Sequence, residues 1–196
     1  MRKVLILALP IAAAVMFFAC ASNPSLPTVS RVELDRFMGD WYVQGHIPAG
    51  AEKTAYNAVE SYARGDDGRI LTSYVFRKGA FDGDLKTMEP VGFVENEATN
   101  AEWGMRFLWP FKAEYLIAHV DDDYTETIVA RSKRDYAWIL TREPMIADER
   151  YEALVARLAE LGYEASDVRR VPQRWPDEAH PVSDAGGNLA LFTRAE

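Results

Sequence analysis

Between residues 102 and 107 apolar and polar positions alternate, Trp103, Met105 and Phe107 against Glu102, Gly104 and Arg106, and Trp109 continues the apolar series past Leu108. A period of two is the repeat of a β-strand with one dry face and one wet face. Stretches at 40–46, 56–63, 70–77, 88–95, 114–120, 125–131 and 136–142 also read as strands. Turn-forming runs such as RGDDGR, KGAFDGD and DDD separate them. Eight antiparallel strands in meander order close most simply into an up-and-down barrel, which removes sheet edges and leaves room for one small ligand. An open sandwich is the alternative.

The period then changes. Tyr151, Leu154, Val155, Leu158 and Leu161 follow helical spacing, with Asp148 as N-cap and Gly162 as terminator. This predicts one C-terminal α-helix lying on the outside of the all-β barrel, over external positions that must be apolar. A short ninth strand is expected over 167–171. Residues 176–196 offer little to bury and are expected to be disordered.

At the N-terminus Arg2 and Lys3 precede an apolar run over 4–19 that is short and interrupted by Pro10. This is the form of an export signal rather than a membrane span of ~20 residues. Cys20, the chain's single cysteine, follows directly. With no disulfide partner, a free or intermolecularly paired thiol is the plain reading. The stretch FFAC resembles the lipobox of bacterial lipoproteins, with Phe17 where such boxes carry Leu, and this implies an acylated Cys20. Ser22 resembles the sorting pattern of outer-membrane rather than inner-membrane lipoproteins. Residues 20–30 then read as a tether leading to a domain over 31–175.

The 196 residues carry a formal net charge of −8, which excludes general affinity for nucleic acid. Hydrophobic residues make up 48%, ample for a packed core. The histidines, His46, His119 and His180, are dispersed, no Ser-His-Asp order or phosphate loop is visible, and the only cysteine precedes the barrel. Catalysis, metal binding and a cofactor are therefore not expected.

Three short motifs occur in order: Gly39-x-Trp41 at the first strand, Asp122-Asp123-Tyr124 between the sixth and seventh, and Arg142 ending the eighth. Together they resemble the three signature regions of the lipocalins, and the stretch from Trp109 through Glu149 is similar to the bacterial outer-membrane lipoprotein branch. In a meander, connections alternate between two poles, so all three motifs fall at one end. The resemblance implies that Trp41 plugs that closed end beneath the guanidinium of Arg142, while Gly39, Asp123 and Tyr124 shape the surrounding chain.

The other pole is expected to be the mouth. Its loops carry Arg77, Lys78, Lys112, Lys133 and Arg134 as a basic rim suited to an anionic head group, whereas the closed-end loops are acidic. Scattered solvated charge is the alternative. Counting by twos from the motifs points Met105, Phe107, Trp109, Tyr115, Ile117, His119, Ile128, Ala130, Tyr136, Trp138 and Leu140 inward. Tyr115, Tyr136 and His119 are the polar handles, His119 as a neutral, hydrogen-bonded histidine. Burying ~14 methylenes gives about 11 kcal/mol against an association cost of ~4–15 kcal/mol, so a rim charge would tune affinity rather than create it.

The resemblance thus implies a lipid-anchored outer-membrane lipocalin, facing the periplasm, that binds a lysophospholipid or fatty acid for transport or storage in envelope maintenance. A homodimer stays open. So does an envelope protein acting through its outer surface with a filled barrel. The anchor is expected to leave from the closed pole on a tether of ~15 residues, at most ~50 Å long.

Overall fold

The computed structural model describes residues 25–48 and 50–175, together with a pair of two-residue strands near the C-terminus. Strands β1 (Gly39–Ile47), β2 (Ala55–Arg64), β3 (Ile70–Lys78), β4 (Leu85–Met88), β5 (Val91–Val94), β6 (Glu102–Leu108), β7 (Phe111–Val120), β8 (Glu126–Ala130) and β9 (Ala137–Thr141) follow in order. Each pairs antiparallel with its neighbour, except that β4 and β5 both pair β3, and β9 returns to β1 through Tyr42↔Thr141 to Ile47↔Ala137. That pairing closes an eight-stranded barrel, not a sandwich. The fourth strand, expected over 88–95, is instead the broken pair β4 and β5, interrupted at Pro90, which has no N–H for a ladder.

The closed half of the barrel is solid. Phe37, Trp41, Tyr62 and Trp103 are buried there, with ring centroids 5.2–5.8 Å apart. Phe37 comes from a single helical turn, α1 (Leu34–Phe37), ahead of β1.

Helix α2 (Asp148–Glu160) buries Leu154 and Leu158 against Leu116, Ile128, Ala130, Ala137 and Ile139 on the outside of β7–β9. Gly45 lets it approach β1, since a Cβ there would stand 3.0 Å from the Tyr151 ring. Asp148 is the first helical residue rather than the cap: Ala147 holds that position, and the Asp148 carboxylate accepts from Arg170 at 2.6 Å. Gly162 follows the helix at φ +88, the left-handed stop its lack of a side chain permits.

The expected ninth strand is β10 (Arg169–Arg170), paired with β1. Beyond it the chain fills a split seam, because β1 and β2 pair only from Gly39↔Tyr62 to Tyr42↔Val59. The Gln173 amide donates to Val43 O and Ala58 O at 2.8 and 3.1 Å, Asn57 N donates to Pro172 O, and the Asn57 side chain exchanges hydrogen bonds with the Arg174 backbone. Trp175 packs on Tyr42 at 5.4 Å.

Part of the segment expected to be a tether is packed on the barrel. Leu26 is buried in the cluster beneath α2, and Val29 N donates to Ile117 O at 3.1 Å, so the chain is bound to the barrel wall from about residue 26 onward. Cys20 and the expected export signal lie outside the described residues. In the tail expected to be disordered, Val182–Ser183 pairs with Leu189–Ala190 as β11 and β12; its other residues lie outside the described ones.

Candidate functional site

The mouth pole holds a cavity of ≈ 290 Å³ lined by Glu52, Met105, Phe107, Ala113, Glu114, Tyr115, Arg131, Tyr136 and Trp138. Its floor is the packed closed half, so the cavity occupies only the open part of the barrel. From Trp103 in the packed floor, Tyr115, Trp138 and Tyr136 continue up one wall as a row of stacked rings, with successive centroids 5.5, 6.0 and 6.2 Å apart. This surface is flat, apolar and rigid, suited to an acyl chain or a flat hydrophobic molecule.

Of the residues expected to point inward, Met105, Phe107, Tyr115, Tyr136 and Trp138 line this cavity. Ile117 and Leu140 face inward within the packed core. The others do not. Ile128 and Ala130 face outward beneath α2. An inward parity carried on from Tyr124 does not hold, because Tyr124 stands at φ +58 in a turn, and Val129 takes the inward position. His119 is also outside. An irregularity between Ile117 and His119 shifts the pairing by one residue, leaving the imidazole between Glu126 at 3.5 Å and Arg157 at 3.4 Å. Burial and the Arg157 guanidinium hold it below the usual histidine range. Trp109 is 78% exposed at the tip of the β6–β7 hairpin.

The basic rim is largely engaged elsewhere. Lys112 lies over the Phe93 ring and pairs with Glu95 at 3.2 Å on the outer wall. Arg134 donates to Ser132 O at 2.6 Å and to Leu161 O at 3.2 Å, which ties it to the end of α2. Arg77 donates to Gly83 O at 3.0 Å. Neither Lys78 nor Lys133 lines the cavity. The cation that does is Arg131. Its Nη1 lies 3.2 Å from Asp135, its guanidinium sits over the Tyr136 ring, and its buried Nε has no hydrogen-bond partner among the described residues.

Three acids were not foreseen. Glu52, on the 3-10 turn Gly50–Thr54 between β1 and β2, accepts from Trp138 Nε1 at 3.2 Å and stands 3.4 Å from His46 Nδ1. Glu114 accepts from the Ser132 amide and hydroxyl at 2.6 and 2.9 Å. Glu60 is buried inside the barrel, where desolvation pushes its carboxyl up to about 8, opposed by a hydrogen bond with Tyr62 and assisted by the charge of Glu52. Nearby, the Tyr62 and Tyr115 hydroxyls share a short hydrogen bond. Glu60 had a signal in the sequence, an acid at an inward position between Ala58 and Tyr62. Glu52 had none, because a loop turn carries no period.

The closed end brings the three motifs together. Arg142 stacks over Trp41 and donates to the carbonyls of Arg36, Phe37, Met38 and Asp40. Gly39 has φ +92, and a Cβ there would stand 3.3 Å from Arg142 Nη1. The corner before β8 is organised by Asp121 rather than Asp123: its carboxylate accepts from Thr125 N, Thr125 Oγ1 and Glu126 N at 2.7–2.8 Å. A family model described as "Lipocalin-like domain" matches residues 32–173. The chain belongs to the lipocalin family. This lipocalin is 28% identical over 176 residues to "Outer membrane lipoprotein Blc" of Citrobacter freundii, covering 84% of this chain and 97% of that one. It is 24% identical to "Temperature-induced lipocalin-1" of Arabidopsis thaliana, covering 76% and 83%. Among solved structures, insecticyanin from the tobacco hornworm Manduca sexta shares the fold with TM-score 0.59 at 16% identity, covering 79% of this lipocalin and 86% of that chain.

Proposed function

We propose that this lipocalin is an outer-membrane lipoprotein, anchored through acylated Cys20 and facing the periplasm, that takes up a lysophospholipid or fatty acid for transport or storage in envelope maintenance. The observation carrying the reading is the apolar, aromatic-walled cavity at the mouth with Arg131 on its wall. The bacterial relatives named as outer membrane lipoproteins support the location.

The packed floor changes the energetics. The cavity lies at the lower end of ligand pockets, ~300–1,000 Å³. A chain admitted to about half its length gains about 6 kcal/mol gross, within the ~4–15 kcal/mol cost of association. Head-group contacts therefore decide binding. Arg131, paired on one side with Asp135 at 3.2 Å, is the cation on the cavity wall for a phosphate or carboxylate, while Glu52 and Glu114 are held by donors.

Titration with fluorescent lysophospholipid and fatty acid tests the pocket. Ala113→Trp, filling the cavity from its wall, weakens binding more than tenfold, and unchanged affinity refutes the assignment. Cys20→Ala tests the anchor, since that variant leaves the membrane fraction if Cys20 carries it. The packed floor also favours a second reading, an envelope protein acting through its outer surface. Native mass spectrometry of the purified protein separates the two, and shows whether it is a homodimer.

A further inference from the structure

Seven large hydrophobic side chains are exposed among the described residues, and four of them lie within five consecutive positions: Phe107 at 56%, Leu108 at 72%, Trp109 at 78% and Phe111 at 73%. Leu71, Leu85 and Met145 are the others, isolated in sequence. The four sit on the β6–β7 hairpin, where Leu108 pairs with Phe111 across the turn Trp109–Pro110. They belong to none of the buried clusters. Arg106 and Lys112 bracket the run, and aromatic side chains flanked by cations are the composition that settles at a membrane–water interface.

The path of the N-terminal segment bears on the same end. Val32 N donates to Thr99 O in a closed-end loop, Val29 N donates to Ile117 O on β7, and Leu26 is buried in the cluster beneath α2 that includes Leu116 and Ala130. The chain therefore climbs the outer wall toward the mouth instead of leaving from the closed pole as expected. From Leu26 back to Cys20 the reach is ~20 Å. From Leu116 along β7 to Phe111 the rise is ~17 Å. An anchor on Cys20 can thus lie level with the hairpin tip.

We propose that Leu108, Trp109 and Phe111 insert into the bilayer to which the chain is anchored, setting the barrel mouth against the lipid. The inference rests on the anchored-lipoprotein reading. Phe107 is shared between the tip and the cavity wall, so an amphiphile can pass from bilayer to cavity along one apolar surface without crossing water.

The test uses the full, lipid-anchored protein reconstituted in vesicles of phosphatidylethanolamine and phosphatidylglycerol whose acyl chains carry bromine, a tryptophan quencher. The chain has five tryptophans, so the Trp109 contribution is the difference between wild type and Trp109→Phe. The expected result is quenching of that component, its loss in Leu108→Asp with Phe111→Asp, and unchanged near-ultraviolet circular dichroism in both variants. Equal quenching of wild type and Trp109→Phe overturns the proposal. So does a Trp109 shielded from acrylamide but not quenched by bromolipid, which marks an interface with a second copy. Flotation of the same vesicles reads the anchor separately: a chain that floats with Trp109 unquenched refutes insertion while keeping the anchor.

Discussion

Arg142 holds its guanidinium 3.7 Å from the centroid of the Trp41 indole. The same group donates to four backbone carbonyls of the chain entering β1, at 2.6–3.1 Å. Burial lowers its pKa to about 10, so it stays charged at neutral pH. One side chain thus fixes the plug, the α1 turn and the end of β9. Lysine keeps the charge but loses the planar fork. Arg142→Lys is expected to cost about 1.5–5 kcal/mol, from a weakened cation–π contact of ~0.5–2 and stranded acceptors of ~1–3. A urea midpoint within experimental error of wild type would contradict this.

Head-group selectivity is expected to follow Arg131 rather than the rim lysines and arginines. Arg131→Gln weakens anionic lipids about tenfold and leaves neutral apolar probes unchanged. Lys133→Glu with Arg134→Glu has the smaller effect, since Arg134 is occupied at the end of α2. Competition titrations with charged and uncharged amphiphiles decide between the two sites.

Glu60 predicts a pH dependence of stability. Its folded-state pKa is raised from the ordinary carboxyl value of 4.5 to about 8, so the native barrel holds a proton that the unfolded chain gives up. The associated stability is full below about pH 4.5 and is lost as pH rises toward about 8. Urea midpoints should fall across that window in wild type and much less in Glu60→Gln, which keeps the shape without the titration. Parallel curves for the two proteins would show that Glu60 is not the source.

Gln173 predicts a local effect. Its amide caps two carbonyls in the split between β1 and β2. Gln173→Ala strands both and costs about 1–3 kcal/mol, with faster hydrogen exchange at Asn57, whose N–H is held by the same strap. Unaltered protection at Asn57 would mean the seam does not depend on this residue.

What the sequence determined by itself is the barrel and its plug. The two-residue period of β6, the helical spacing of α2 and the sidedness of a meander are local or topological, and they suffice to put Trp41 and Arg142 at one pole. Tertiary structure decided the cavity. Inward parity survives only while the ladder is regular, and the pairing shift at His119 and the left-handed Tyr124 each displace it by one residue, moving His119, Ile128 and Ala130 to the helix side. Glu52 enters the mouth through a loop turn, and Leu26 climbs the wall through contacts far apart in sequence. How deep the hollow runs depends on how the Phe37, Tyr62 and Trp103 rings meet across the barrel, a packing result that no period along the chain encodes.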